Sequence, residues 1–338
     1  MSFTRLPLCT AVLVFVVSLA RAQQYSILDL GTFPGGSVSQ GQAINVAGQV
    51  AGYARFSNYN AHGFYWTQKT GLVDLGSIPP KINFSVAQAI NSVGDIVGYS
   101  DYNELQEEHA VLWHHSTGTF VDLGTLPGGT YSQANGINDT GQIAGFSNSA
   151  VNSMHAVVWR ENGGIQDLGA LSGGYAQGIA INVEGEVTGF SQTNDGIWHA
   201  ILWNKSTGLR ALPMLKVKDS SASGNCINNL GQVVGGSGNV AVLWQNNQNH
   251  TPQSLGVLSG AGWSTAFAIN DVGQVVGWSG GAAFIWTKKT GMVDLNTLIP
   301  ANSGWQLTLP TSINAVGQIV GQGNIKGTQH GFLLTPIH

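Results

Sequence analysis

Charge is what this sequence has least of. Charged residues make up 9% of its 338 positions and sum to a formal net charge of −4, where an ordinary soluble domain carries about 25%. The cations gather only as Lys216 with Lys218 and as the pair Lys288–Lys289. A nucleic-acid surface needs a basic patch to neutralise phosphates, so no nucleic-acid partner is expected. Cysteine is nearly absent as well. Cys9 lies in the N-terminal segment, and its removal would leave Cys226 alone, with no intrachain disulfide to form. Stability then has to come from packing.

Long apolar runs are missing apart from one, Leu8 to Leu19, broken only by Cys9, Thr10 and a serine near its end. Arg5 precedes it and Ala20-Arg21-Ala22 follows, placing small residues at −3 and −1 before Gln23. That is the pattern of a cleaved signal peptide over residues 1–22. The run is shorter than the roughly 20 residues of a spanning helix. The chain closes on Leu334-Thr335-Pro336-Ile337-His338 without a hydrophobic tail. The expectation is a domain over 23–338, free of the membrane after cleavage, in the periplasm or outside the cell.

What the sequence has in abundance is glycine, at 47 residues, and repetition. The motif Ile-Asn-x-x-Gly begins at Ile44, Ile90, Ile137, Ile181, Ile227, Ile269 and Ile313, seven copies 42 to 47 residues apart. That period suits a four-stranded propeller blade. Each unit divides by its own chemistry. A first strand ends at Ile-Asn, Asn-x-x-Gly makes a tight turn, and a second strand closes in glycine, as in Gln49-Val50-Ala51-Gly52. A third strand reads His-Ala-Val-Leu-Trp at 109–113, and a fourth carries Val-Asp-Leu-Gly at 121–124. Such β-branched and aromatic runs bounded by Gly, Asn and Ser are what half-buried strands require. The seventh unit stops after its third strand, His330 to Leu334, while a spare fourth strand, Tyr25 to Gly31, precedes the first unit. The expected fold is therefore all-β, a seven-bladed β-propeller of four-stranded antiparallel blades whose N-terminal strand completes the last blade.

The His-Ala-x-Leu-Trp strand, the run Asp122-Leu123-Gly124-Thr125-Leu126-Pro127-Gly128-Gly129 and Ile-Asn-x-x-Gly-Gln together resemble the bacterial extracellular HAF-repeat family over nearly all of residues 23–338. Later units depart from the pattern. Val240 and Ala282 replace the leading histidine, Leu334 replaces the closing tryptophan, and Arg210-Ala211-Leu212 stands where Asp-Leu-Gly belongs. The resemblance implies export and a propeller-like repeat, and no particular activity.

Repetition also sorts the residues that look functional. His62, His109, His155, His199 and His330 head third strands one per unit, too dispersed to share a metal ion. A bond within the blade to the fourth-strand aspartate (Asp29, Asp74, Asp122, Asp167, Asp294) is the simpler role. The tandem His114-His115 lacks an evident third ligand. Cys226 takes the small position held elsewhere by Ala43, Ala89, Gly136 and Ala180, as a buried apolar residue would. The closing tryptophans fit a core between blades. Asp101, Glu104, Glu107 and Glu108 share one loop and Asp195 lies in another, in the manner of solvated loops. No calcium loop, nucleophile elbow or phosphate-binding glycine loop occurs, and no cofactor or metal is implied.

Variation concentrates in the loops joining strand four to strand one and strand two to strand three, on one face of the ring. Six residues before each anchor isoleucine stand Val38, Phe84, Tyr131, Tyr175, Ser221, Trp263 and Leu307, with Trp305 displaced by two. Phe84, Tyr131, Tyr175, Trp263 and Trp305 are the candidate ligand-binding residues, bordering the channel mouth beside neutral pairs such as Ser39-Gln40, Ser132-Gln133 and Ser264-Thr265. Local packing under the Pro-Gly-Gly loops is the competing role for these rings. Flat rings beside uncharged donors and acceptors suit a glycan first and an extended peptide second. The expectation is a secreted, non-catalytic binding module. An extracellular polysaccharide lyase or hydrolase using Glu104, Glu108 or Asp195 is the alternative, and a purely structural surface protein the third.

Overall fold

The computed structural model describes residues 24–57, 60–78, 84–102, 107–150, 153–160 and 164–337. The signal peptide expected over 1–22 and the candidate acid Glu104 lie outside them. Strands account for nearly all the regular structure, and among the described residues no helix is long and apolar enough to cross a membrane.

The strands form seven four-stranded antiparallel blades in meander order. Blade one runs Ser39–Ile44, Val50–Arg55, Ala61–Thr67, Gly71–Asp74, and the others repeat it. A single parallel bridge between Met154 and Tyr175 joins blades three and four into one sheet. Equivalent bridges link Val38 to Gln329, Ala61 to Phe84 and Trp198 to Ser221. Blade seven comprises Trp305–Ile313, Ile319–Ile325 and Thr328–Ile337, and Gln24–Gly31 is its fourth strand. Ile27 lies opposite Leu334 and Leu28 opposite Leu333, so the two ends of the domain meet in one sheet as the repeat count requires. Closure leaves the ring without a missing blade edge at the seam.

Seven hydrophobic clusters lie between neighbouring blades. The cluster joining blades seven and one holds Leu30, Phe33, Val50, Phe64, Trp66, Val320 and Leu333. The buried Trp66, Trp113, Trp159, Trp244 and Trp286 each fill such an interface, the role expected of the closing tryptophans. At about 1.5–3 kcal/mol per large buried side chain, these rings are a main source of stability in a chain without disulfides.

The polar repeats are equally committed to the scaffold. In Asn45-x-x-Gly48 the Gly48 N–H donates to the Asn45 carbonyl at 3.0 Å, and Gly48 takes the φ of 76° that the turn demands. The asparagine does more than cap this turn. Its buried Nδ2 reaches the backbone carbonyl of the next blade's asparagine, from Asn45 to Asn91 at 2.9 Å and from Asn138 to Asn182 at 2.9 Å. The bonds continue from Asn182 through Asn228 and Asn270 to Asn314, and Asn314 donates to Asn45 at 3.0 Å across the seam, whereas between blades two and three the Ser92 N–H donates to Asp139 Oδ1 at 2.8 Å instead. Buried serines stitch the other end. Ser132 Oγ accepts from Ala110 N–H at 2.9 Å and donates to the Gly124 carbonyl at 2.8 Å, both in the preceding blade. Ser39, Ser85 and Ser264 repeat the pattern, with Ser39 bridging the seam to Gly31 and Gly331.

Each first strand also carries a bulge just before Ile-Asn, such as that between Gly41 and Ala43. The extra residue leaves the ladder. Gln42, Asn135, Asn225 and Thr311 are among the residues so displaced, and they line a central channel of 570 Å³.

Candidate binding site

The loops between fourth and first strands bring the candidate aromatics to the start of the inner strands. None of them lines the channel itself, whose wall begins four residues further along, with Gln88, Asn135, Ile179, Phe267 and Leu309. Instead, each meets a second ring. Phe84 is 6.0 Å from Tyr99, Tyr131 is 5.9 Å from Phe146, and Tyr175 lies 5.1 Å from Trp198, which in turn is 5.5 Å from Phe190. Trp263 packs edge to face with Trp278. Trp263 is 46% exposed, while Phe84, Tyr131 and Tyr175 are half-buried. Trp305 is half-buried too and packs against the core between blades six and seven, 6.2 Å from Phe332.

In three of these pairs the second ring follows the glycine that ends the second-strand apolar run, in Gly98-Tyr99, Gly145-Phe146 and Gly277-Trp278, and Gly52-Tyr53 and Gly189-Phe190 repeat that sequence pattern. That glycine permits the bulged first strand to come close, since a Cβ on Gly98 would sit 1.8 Å from the Val86 carbonyl oxygen. The residue after it points away and carries the ring. The serines beside the candidate aromatics have a different role from the one expected. Ser39, Ser132 and Ser264 are buried and spent on stitching blades, so the polar groups left at the surface are Gln40, Gln133 and Thr265.

Blade five breaks the aromatic pattern at both positions, with Ser221 for the first ring and Gly236 for the second. The gap is a cleft of 670 Å³, inside the range of about 300–1,000 Å³ typical of small-ligand sites. Phe190 and Trp198 from blade four and Trp263 from blade six flank it, and Ser221, Ser223, Gly236, Asn239 and Thr265 are among the residues lining it. Among the described residues no charged side chain lines it, and the Asp219 carboxylate lies behind Gly238.

The buried charge on this face lies in blade two. Asp101 and Glu108 stand opposite each other across a hairpin. Neither is the solvated loop acid expected: Asp101 is buried and Glu108 half-buried. Tyr131 donates its hydroxyl proton to Glu108 Oε2 at 2.8 Å, and the Gln133 amide donates to the same oxygen. Burial, and then the neighbouring Glu108, hold the Asp101 carboxyl above the usual carboxylate range. Burial, reinforced by the Glu108 carboxylate, raises the Tyr131 phenol well above its ordinary value. Asp195 is an exposed turn residue, accepting from Thr193 Oγ1 at 2.6 Å and Ile197 N–H at 3.2 Å.

The strand-heading histidines bond as the repeat predicts. Nδ1 of His62 lies 2.9 Å from Asp74, that of His155 2.9 Å from Asp167 and that of His330 2.9 Å from Asp29, the last across the seam. His109 pairs with Asp122 at 3.0 Å. Burial opposes the charge on Asp74 and Asp122, but the histidine and the N–H of Gly76 or Gly124 outweigh it and hold both carboxyls below their usual range. In blade four the register corrects the alignment made from sequence. Ala211 lies opposite Ile201, as Asp74 does opposite Phe64, so Ala211-Leu212-Pro213 takes the place of Asp-Leu-Gly and Arg210 precedes it. His199 therefore faces no aspartate in its blade. Cys226 is only partly buried and borders the channel, with burial pushing its thiol pKa up. Among the described residues no three His, Cys, Asp or Glu side chains group as metal ligands.

No protein-family model matches the chain, and no curated protein matches it in sequence. Solved structures do match its fold. An extracellular domain of a one-component system from B. thetaiotaomicron superposes with a TM-score of 0.57 at 10% identity, covering 93% of this chain and 40% of the other. This chain thus spans well under half of that protein's length. The oligogalacturonate lyase of Vibrio parahaemolyticus gives 0.56 at 10% identity, covering 91% and 93% of the two chains. The β-propeller domain of the trilobed protease from Pyrococcus furiosus, which has an open velcro topology, gives 0.55 at 9% identity over 89% and 95%. At such identities the likeness is one of fold. These neighbours include a lyase, a domain of a protease and an extracellular domain of a one-component system, so the fold leaves the function open.

Proposed function

We propose that this protein is an exported, non-catalytic binding module that takes an extracellular glycan, ahead of an extended peptide, on its loop face. The observation that carries the reading is the set of paired rings, Phe84–Tyr99, Tyr131–Phe146, Tyr175–Trp198–Phe190 and Trp263–Trp278, at the starts of the inner strands on the loop face. Aromatic faces supply binding area at small entropic cost, and the scarcity of charge suits a neutral, hydroxyl-rich ligand. The motifs shared with HAF-repeat proteins and the pattern of residues 1–22 support export. A glycan array and a pull-down from extracellular polysaccharide test the reading. Binding should occur in the parent and be lost when Tyr131, Tyr175 and Trp263 are replaced together by Ala. A detected interaction left unchanged by that variant would sink it.

One observation favours a second reading, a polysaccharide lyase or hydrolase. A carboxyl whose pKa is raised by burial beside a second carboxylate is a common acid–base arrangement, and Asp101 with Glu108 and Tyr131 has that composition. Turnover of a polysaccharide, abolished in Asp101→Asn or Glu108→Gln, would establish it.

A further inference from the structure

We propose that the cleft over blade five is the anchoring subsite of the loop face, seating one or more pyranose rings of a neutral glycan between Trp263 and Trp198. The inference rests on the glycan reading above and narrows it to one site and one ligand chemistry. Three features of the cleft lead there.

The first is that the cleft is an exception to the repeat. Five of the seven blades place an aromatic residue where blade five has Gly236, and blade seven has Gln322. Gly236 needs no glycine for backbone reasons. It lacks the positive φ that marks the turn glycines, and a Cβ built on it meets only Thr265 Oγ1 at 3.3 Å and softer contacts beyond 3.8 Å. An aromatic ring would fit here as Phe190 and Trp278 do at the same register, Phe190 opposite Gln177 and Gly236 opposite Ser223. The absence of a ring opens space that packing does not require.

The second is the character of the walls. Trp263 is the most exposed of the candidate aromatics, and Trp198 is braced by Tyr175 and Phe190. Fixed aromatic faces present flat apolar area to the C–H face of a sugar ring.

The third is the polar lining. The hydroxyls of Ser221 and Ser223 and the amide of Asn239 have no hydrogen-bond partner among the described residues, although elsewhere serine and asparagine side chains hold blades together. Unused neutral donors and acceptors beside apolar walls match a ring whose edge is all hydroxyl groups. The lining holds no charged side chain, and the nearby Asp219 carboxylate behind Gly238 is bonded to Ser237 Oγ, so the cleft presents no cation to compensate a carboxylate or phosphate group.

The test titrates chitohexaose, cellohexaose and laminarihexaose, with oligogalacturonate as the charged counterpart, into the parent protein by calorimetry. The same titrations follow for Gly236→Phe and Trp263→Ala, for Phe84→Ala and Tyr131→Ala, which alter paired rings away from the cleft, and for Asn249→Ala on an exposed turn as the control. The expected result is binding of at least one neutral hexasaccharide, weakened about tenfold or more by Gly236→Phe and by Trp263→Ala, more than by either Phe84→Ala or Tyr131→Ala, and unchanged by Asn249→Ala. Gly236→Phe should melt like the parent, which separates a filled cleft from a damaged fold. Neutral binding unchanged by Gly236→Phe but lost in Phe84→Ala or Tyr131→Ala would overturn the cleft and leave the loop-face reading standing. Preference for oligogalacturonate would overturn the neutral-ligand assignment. A parent protein that binds neither these sugars nor any array glycan would overturn both proposals.

Discussion

Removing residues 24–31 should open the ring and cost much of the fold's stability. The strand they form pairs with Thr328–Ile337 from Gln24 opposite Ile337 to Gly31 opposite Gly331. Its deletion strips the last blade of its outer strand and leaves Phe332, Leu333 and Leu334 on an unpaired edge. Two of the lost side chains are almost wholly buried, Tyr25 at 0% and Leu30 at 3% exposure. At roughly 1.5–3 kcal/mol each, they account for about 3–6 kcal/mol before any backbone bond is considered. The Asp29–His330 pair, the Ser39 bond to the Gly31 carbonyl and the bond from Tyr25 N–H to the Leu298 carbonyl at 2.9 Å disappear with them. Against a net stability of roughly 5–15 kcal/mol, that loss is a large fraction of the whole. The melting temperature should fall by on the order of 10 °C or more. The exposed edge should also make the shortened chain self-associate. Scanning calorimetry at several protein concentrations measures both effects, and Leu30→Ala serves as a milder companion expected to cost about 2–4 kcal/mol. A truncated chain that melts as high, as cooperatively and as independently of concentration as the parent would refute the assigned seam.

Other predictions follow from the scaffold. Asn270→Ala removes the donor to the buried Asn314 carbonyl and the acceptor for Gln274 N–H. It should cost about 1–3 kcal/mol in urea unfolding, while Asn249→Ala on an exposed turn should be near neutral. Ser132→Ala orphans the Ala110 N–H and the Gly124 carbonyl together, and a similar cost of about 1–3 kcal/mol is expected. His250 is buried, with Arg210 Nη2 at 2.6 Å from its Nε2, and burial followed by the Arg210 charge holds its pKa below the ordinary value while Glu186 opposes the shift. The unfolded chain then takes up the proton first, so the contribution of His250 to stability is intact above about pH 6.5 and declines as the pH falls below it. His250→Asn, which tolerates the φ of 43° at this position, should flatten the slope of stability against pH just below 6.5; an unchanged slope would show that His250 does not set it. Asp74 and Asp122 have depressed pKa values, so their pairing is intact above the unfolded carboxylate pKa near 3.9 and is lost as the pH falls through their lower folded values. Asp74→Asn should make acid unfolding in that range less steep, read by circular dichroism.

The repeat made most of the fold legible before any coordinates. Seven anchors, a strand missing at one end and a strand to spare at the other require a closed ring, because only pairing Tyr25–Gly31 with His330–Leu334 completes the last blade. The histidine–aspartate bond was legible for the same reason: residues that recur once per unit face each other once per blade. Blade four shows where alignment by motif runs out. Asp-Leu-Gly has decayed there, and only the ladder placing Ala211 opposite Ile201 sets the register.

The candidate site was legible only in part. The sequence marks a ring at or near the start of five of the seven inner strands, but which groups remain available to a ligand depends on partners from neighbouring blades, and those contacts are tertiary. Ser132 and Asn45 look like surface polar residues in one dimension and are buried stitches in three. Asp101 looks like a loop acid and is covered. The cleft over blade five depends on two substitutions, Ser221 and Gly236, separated along the chain and adjacent in space. By itself the sequence determined the number of blades, their strand order and the seam, because periodic side-chain chemistry dictates local pairing. The tertiary structure alone decided which polar groups are spent between blades and where the paired rings give way to a cleft, because burial belongs to neighbours that the chain brings together only when the ring has closed.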